Sequence, residues 1–472
     1  MSAIDRTDRA ARTWVLALTS VASLMVALDA LVMSTALTAI GAEFSASIEA
    51  LEWTISAYLL PFAVLLIAAS GLGDRFGRRR IFVSGLILFA AASAACALAP
   101  GIGWLVAARA AQGTAAAMVM PLALTQLSAA FPPERRGWAL GVYSSVTALS
   151  TVIGPLIGGI ITQGVAWQWI FWLNVPVGAA VTILTLVRIR ESVGPRAPLD
   201  VGGVALATMA ALGLVWGLVR ANPAGWSSAE VLAALAGGVA LAVAFVMWEL
   251  CSAAPMVPMR LFRDRTFAAS NAAMFLLNGA LISVLFFIAQ FEQVALGQDA
   301  LGAGLRILPW GAAITLMAPK AGRVAGRLGE RAAIVLGLTL QAAGLAWLGM
   351  IARPDLPIAP TLLPMIAAGA GFALAVPIVQ KGALGAVAPA DIGKASGTLG
   401  MLRQLGGAFG VALCVAVFGW FGDRTTPQAF CDGFAAASCV AAMLSLAGAL
   451  AACCLPSTAG ALVDKLAKPD IA

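Results

Sequence analysis

Apolar and charged positions along this chain are sharply segregated. Long uncharged runs alternate with short polar knots, and the runs have approximate limits 14–40, 53–72, 81–99, 102–123, 138–161, 168–187, 201–220, 229–250, 267–290, 302–319, 332–351, 357–379, 397–421 and 433–453. A helix needs about 20 apolar residues to cross a bilayer core. Each run meets that length, so the pattern predicts fourteen membrane-spanning helices. Those at 201–220 and 229–250 rest on hydrophobicity alone, because removing both would leave the sidedness of the rest unchanged.

Composition agrees. The chain has 472 residues, is 61% hydrophobic and 11% charged, and has a mean hydropathy of +0.95. Those values describe a polytopic membrane protein and exclude an ordinary soluble domain. The net charge of +7 is therefore no sign of nucleic-acid binding. With the N-terminus inside, 24 of the 29 basic residues fall in cytoplasmic segments, and the other five are Arg109, Arg220, Arg306, Arg353 and Arg424. Both termini, 1–13 and 454–472, are then cytoplasmic, as the positive-inside rule requires. The cytoplasmic set includes Arg196, Arg403, Lys465 and Lys468. Seven cysteines form no CxxC pair and there is no histidine, so no metal site or disulfide framework is expected. Of the cysteines, Cys431 is expected on the outer side.

The densest polar knot is Gly71-Leu72-Gly73-Asp74-Arg75-Phe76-Gly77-Arg78-Arg79-Arg80, between the second and third runs. Its length predicts a very short turn in which three glycines allow unusual backbone angles. A related stretch, Pro319 to Arg331, recurs between the tenth and eleventh runs, with Gly326 in the place of Asp74. Repetition of the knot suggests a duplicated transporter, with bundles at 14–187 and 267–453 around a midplane site. Residues 188–250 would be a linker with two peripheral helices, and 251–266 an interfacial segment of alternating apolar and cationic residues.

A few polar residues lie inside the apolar runs. Asp29, in the first run, must be paired, hydrated or able to take up a proton at that depth. Met25 and Met33 share its face at spacings of four, as a soft cavity lining or as plain packing. Arg109, in the fourth run, needs a carboxylate, water or carbonyls, and Gln112 lies one turn on. A direct or water-bridged Asp29–Arg109 contact would couple protonation to the shape of the cavity, or merely hold two helices together. Asn271, Phe275 and Asn278 lie on one face of the ninth run, as cavity contacts or as packing amides. Glu292, near the outer end, is a cavity group that attracts cationic substrates or carries a second proton, or else an exposed rim residue, which is the favoured reading. Gly154-Pro155-Leu156-Ile157-Gly158-Gly159 combines a proline kink with a ridge of small residues for close helix approach.

These motifs resemble the major facilitator superfamily, and within it the fourteen-span drug:proton antiporters. The resemblance rests on Gly71–Arg80, on Arg109-Ala110-Ala111-Gln112-Gly113, on Gly154–Gly159, on Leu28-Asp29-Ala30, on Trp169-Ile170-Phe171-Trp172-Leu173-Asn174-Val175-Pro176 and on Leu261-Phe262-Arg263. It implies an all-α fold of two six-helix bundles plus two extra spans. It further implies a transporter, not an enzyme, that needs no cofactor. Such a protein exports amphipathic drugs or antibiotics in exchange for protons, as a monomer in a bacterial plasma membrane. A narrow exporter of one metabolite is the alternative, and an uptake symporter is less favoured. The resemblance makes Gly71, Gly73, Asp74, Arg75, Gly77 and Arg78 a gating loop whose Asp74 latches onto the start of the span near residue 397. It also makes Gly154, Pro155, Gly158 and Gly159 an antiporter motif. The branch carries proline where this chain has Thr38, which removes a reason for the first span to bend.

Overall fold

The computed structural model describes residues 3–194 and 198–456. Arg196, Lys465, Lys468 and most of the expected tail lie outside the described residues. All regular structure among the described residues is helical. Fourteen helices are long and apolar enough to cross a membrane. They are α1 (Ala3–Glu43), α2 (Ile48–Phe76), α3 (Arg78–Ala97), α4 (Ile102–Ala130), α5 (Pro133–Gly164), α6 (Trp169–Arg188) and α7 (Val201–Ala224). Then come α8 (Ala229–Cys251), α9 (Arg265–Ala295), α10 (Ala300–Leu328), α11 (Glu330–Ile351), α12 (Ile358–Gly385), α13 (Pro389–Phe421) and α14 (Pro427–Cys453). Every apolar run of the sequence coincides with one of these helices.

Helix ends follow local chemistry. Ser47, Asp200, Ser228 and Thr426 cap α2, α7, α8 and α14 with side-chain oxygens that accept first-turn amides. Proline opens α5 and α14, where its missing N–H costs nothing. The helix α1 runs unbroken through Thr38, consistent with the absence of proline there. It also begins well before residue 14, so the described part of the N-terminal segment continues the first span.

The chain forms two compact units. Among the described residues, one lies within 1–256 and 285–308, the other within 257–284 and 309–472. In the first, α2 packs on α4 and α7, α1 on α5, α3 on α4, and α7 on α8. In the second, α11 packs on α12 and α14, and α13 on α14. The short segment before α9 carries a 3-10 turn at Met259–Arg263, and Arg260 is ion-paired with Asp391 at 2.6 Å.

The charged knot differs from the simple turn expected of it. Gly71, Gly73 and Asp74 belong to the last turns of α2, and only Gly77 leaves the helix, with φ of 112°. Gly329 repeats this before α11, with φ of 85°. The two stretches thus share a helical run of glycines that ends on a glycine of positive φ.

Candidate functional site

The polar centre of the first unit is assembled from α1, α3, α4 and α6, with a backbone group from α2. Asp29 of α1 and Arg109 of α4 are both buried, at 5% and 1% exposure. They form a direct ion pair through Arg109 Nη1 and Asp29 Oδ2. Arg109 Nη1 also donates to Gln112 Oε1 at 2.9 Å, and Nε donates to the Thr54 carbonyl at 3.0 Å. The guanidinium lies 4.4 Å from the ring centre of Tyr58. Aromatic faces and backbone carbonyls can shelter a cation in such a dry site.

The second oxygen of Asp29 is equally occupied. Gln112 Nε2 donates to Oδ1 at 3.1 Å, and Asn174 Nδ2 donates to the same atom at 2.8 Å. Ser93 Oγ accepts from both amides, at 2.7 and 3.3 Å. Cys96 Sγ donates to Gln112 Oε1 at 3.2 Å. Three side chains therefore direct N–H donors at one carboxylate, the complement an ionised group requires in a low-dielectric site.

Of the residues singled out in the sequence, Asp29, Arg109 and Gln112 come together. Asn174, Ser93, Thr54 and Tyr58 complete the site and carried no assigned role there. Asn174 is the one amide between Leu173 and Arg188, and an amide in an apolar span marks a polar contact by the same rule that marked Asp29. Met25 and Met33 are buried at 4% and 0%, and Met25 sits beside Gly178 of α6, in a packing position.

In the second unit Asn271 and Asn278 separate. Asn278 Nδ2 donates to the Arg403 carbonyl at 2.7 Å, and Arg403 Nε lies 3.4 Å from Asn278 Oδ1. Arg403 is thus well inside α13, a position the charge pattern had assigned to a cytoplasmic segment. Asn271 Nδ2 donates to the Phe267 carbonyl at 2.8 Å, while its Oδ1 is buried and unpartnered. Asn271 and Phe275 line an apolar recess of about 400 Å³ with Phe262 and Leu402.

Glu292 is not a rim residue. It is fully buried in a π-helical segment at Phe291–Ala295 and ion-paired with Arg306 at 3.1 Å. The neighbouring Gln293 Nε2 donates to the Thr35 carbonyl of α1 at 3.1 Å. Arg306, from the next helix, is the group that meets Glu292 Oε2, while Oε1 is buried with no partner, and this pairing across fourteen residues was absent from the linear pattern. Cys431 is buried.

Gly154 and Gly158 meet α1 at Leu31 and at Val32 and Thr35. Gly159 meets the backbone of Ala300 and Leu301, while Gly304 meets the carbonyl of Pro155. Side chains larger than hydrogen would push these helices apart. At the knot, Asp74 Oδ1 accepts from Arg78 Nε at 2.8 Å. Glu191, in the segment after α6, accepts from the amides of Arg79 and Arg80 at 2.9 and 3.2 Å. The Ser192 carbonyl accepts from Arg78 N at 2.8 Å, and the Asp74 carbonyl accepts from Gly194 N at 3.0 Å. The first turn of α3 is therefore capped from a distance of more than a hundred residues, which no local motif announces.

Among the described residues no group of histidine, cysteine and carboxylate side chains could hold a metal ion. Comparison with known proteins gives a consistent picture. The chain is 35% identical over 397 residues to the tetracenomycin C resistance and export protein of Streptomyces glaucescens, covering 84% of this chain and 73% of that one. It is 34% identical to the multidrug resistance protein Stp of Mycobacterium tuberculosis, over 86% and 75% of the two chains. It is 32% identical to the cephamycin export protein CmcT of Amycolatopsis lactamdurans, over 96% and 94%. Among solved structures, the xylose transporter XylE from E. coli shares the fold with a TM-score of 0.66 at 13% identity, over 96% and 99%. A POT family transporter does so with a TM-score of 0.70 at 16% identity, over 91% and 94%. The Major Facilitator Superfamily model matches residues 19–411. With its fourteen spans and its relatives among antibiotic and multidrug export proteins, the chain belongs to the Major Facilitator Superfamily of membrane transporters.

Proposed function

We propose that this transporter exports hydrophobic or amphipathic drugs or antibiotics across a bacterial plasma membrane in exchange for protons, by alternating access. The observation that carries the reading is the buried Asp29–Arg109 pair with Gln112 and Asn174 around it. Asp29 is the one carboxylate in α1 between Thr13 and Ile40, and its partner cannot give up its own proton under physiological conditions. A proton arriving at Asp29 removes the charge that holds Arg109. The helices α1, α4 and α6 are then free to repack, which is the element a proton gradient would bias. Both termini are assigned to the cytoplasm from the distribution of arginine. Asp74 serves as a latch that holds the cytoplasmic side shut in one state and pairs with Arg78 in this one.

Efflux is the direction favoured by the three relatives named above, each of them an export or resistance protein. Two of those names specify one antibiotic, which favours a second reading: export of a single compound rather than many. A growth-inhibition panel in an efflux-deficient host, spanning dyes, quaternary amines and several antibiotic classes, separates the two. Broad protection by the native chain supports multidrug export, and protection against one class supports the narrow reading. The proton reading is tested with Asp29→Asn, which is expected to keep substrate binding and abolish gradient-driven transport. Undiminished gradient-driven transport by that variant would overturn it.

A further inference from the structure

A second carboxyl in the first unit is buried without any of the support Asp29 enjoys. Glu52, the fifth residue of α2, is 0% exposed. Its Oε1 accepts a hydrogen bond from Ser56 Oγ one turn on, itself 0% exposed. Its Oε2 is buried with no partner. No ion pair among the described residues includes Glu52. Asp29 has Arg109, and Glu292 has Arg306.

The helices packed on α2 offer nothing to balance a charge there. α4 carries Arg109, already committed to Asp29, Gln112 and the Thr54 carbonyl. α1 carries Asp29 and Glu43, with Arg12 and the charged residues before it at the opposite end, and Glu43 accepts hydrogen bonds from Trp167 and Gln168. α7 carries Arg220, which is paired with Glu230 at 3.2 Å. α3 has Arg78, Arg79 and Arg80 at its far end, and the Cys96 thiol, which donates to Gln112. On α2 itself, Glu49 is a like charge, Tyr58 lies against Arg109, and Asp74 and Arg75 are at the opposite end.

A lone ionised carboxylate in such a place costs several kcal/mol, whereas a neutral acid leaves only one O–H unpaired. Glu52 lies about 6 Å along the axis from the first residue of α2 at 1.5 Å per residue. Thr54, two residues deeper, supplies the carbonyl that receives Arg109 Nε. We propose that Glu52 is a second proton-binding group of this transporter, holding its proton at Oε2 between the α1–α2 end of the first unit and the Asp29–Arg109 centre. It takes that proton from water reaching the α1–α2 end and returns it to water, while Ser56 stays on Oε1. The inference rests on the proton-coupled reading, and it adds a carrier that the Asp29 centre does not include.

Two measurements test it on the full-length protein. Infrared spectroscopy of detergent-solubilised protein near neutral pH, in H₂O and D₂O, reads protonated carboxylic acids directly. Glu52→Gln should lose one deuterium-sensitive acid carbonyl band that Asp29→Asn retains. An unchanged acid band in Glu52→Gln would overturn the assignment. In inside-out membrane vesicles, with ethidium as the probe, Glu52→Gln should slow gradient-driven transport by roughly tenfold or more. Glu52→Asp, which keeps a carboxyl, should recover part of the rate. If Glu52→Gln matches native while Asp29→Asn is inactive, Glu52 has no place on the proton route although the coupling reading stands. If Asp29→Asn transports normally, the coupling reading fails, and the infrared band still decides whether Glu52 holds a proton.

Discussion

Within the apolar interior of α1, α4 and α6, Asp29 and Arg109 balance one another's charge. A buried ion pair contributes little net stability, but removing one member leaves an uncompensated charge that costs about 3–5 kcal/mol. Each amide aimed at Asp29 Oδ1 adds about 1.5–3 kcal/mol, as hydrogen bonds to charged groups do. Asn174→Leu is therefore expected to lower the melting temperature in detergent and to impair transport, since one of the donors to Oδ1 is lost. A melting temperature and transport rate equal to native would remove Asn174 from the centre. Arg109→Lys should fail as well. An ammonium is a point charge without the planar fork that reaches Asp29, Gln112 and the Thr54 carbonyl together. Recovery of native gradient-driven transport by that lysine variant would show that charge alone suffices.

Between helices, the glycines divide into those that turn and those that pack. Gly77 combines a positive φ with the Glu191 carboxylate standing where a Cβ would project. Gly77→Ala should cost about 1–3 kcal/mol from backbone strain and displace the cap on α3. Gly326 is helical with nothing within 4 Å, so Gly326→Ala should be neutral or slightly stabilising. Thermal unfolding of the two variants side by side checks the contrast, and equal losses would refute it. Gly158→Leu belongs to the packing set. It would drive α5 from α1 at Val32 and Thr35, and reduced transport by a well-expressed variant is the expected outcome. The knot at 71–80 was legible as a charged turn between spans, yet most of it is helix. The backbone amides of Arg78 and Arg79 are capped by Ser192 and Glu191, which the sequence places far away.

For the molecule as a whole, sidedness is the property most open to direct test. In a background with the seven native cysteines replaced, Trp226→Cys and Arg353→Cys should react with an impermeant maleimide added outside intact cells. Arg263→Cys and Arg327→Cys should react only after permeabilisation. Outside labelling of Arg263→Cys would invert the topology. Trp226 is the informative position, because it lies between α7 and α8 and reports whether that pair crosses the membrane.

Span number, helical class, the duplicated knot and the depth of Asp29 and Arg109 were all set along the chain itself. Hydrophobic length against bilayer thickness and the placement of arginine are one-dimensional quantities, so one dimension is enough to read them. Partners are not one-dimensional. Only tertiary packing brings Asn174 of α6, Ser93 of α3 and the Thr54 carbonyl of α2 onto a pair from α1 and α4. Only packing takes Glu292 from an expected rim into the interior with Arg306, and seats Arg403 inside α13 beside Asn278. The same packing leaves Glu52 enclosed, with Oε1 bonded to Ser56 and Oε2 without a partner. A buried charge is tolerated or not according to the groups that converge on it, and that convergence exists only once the helices have assembled.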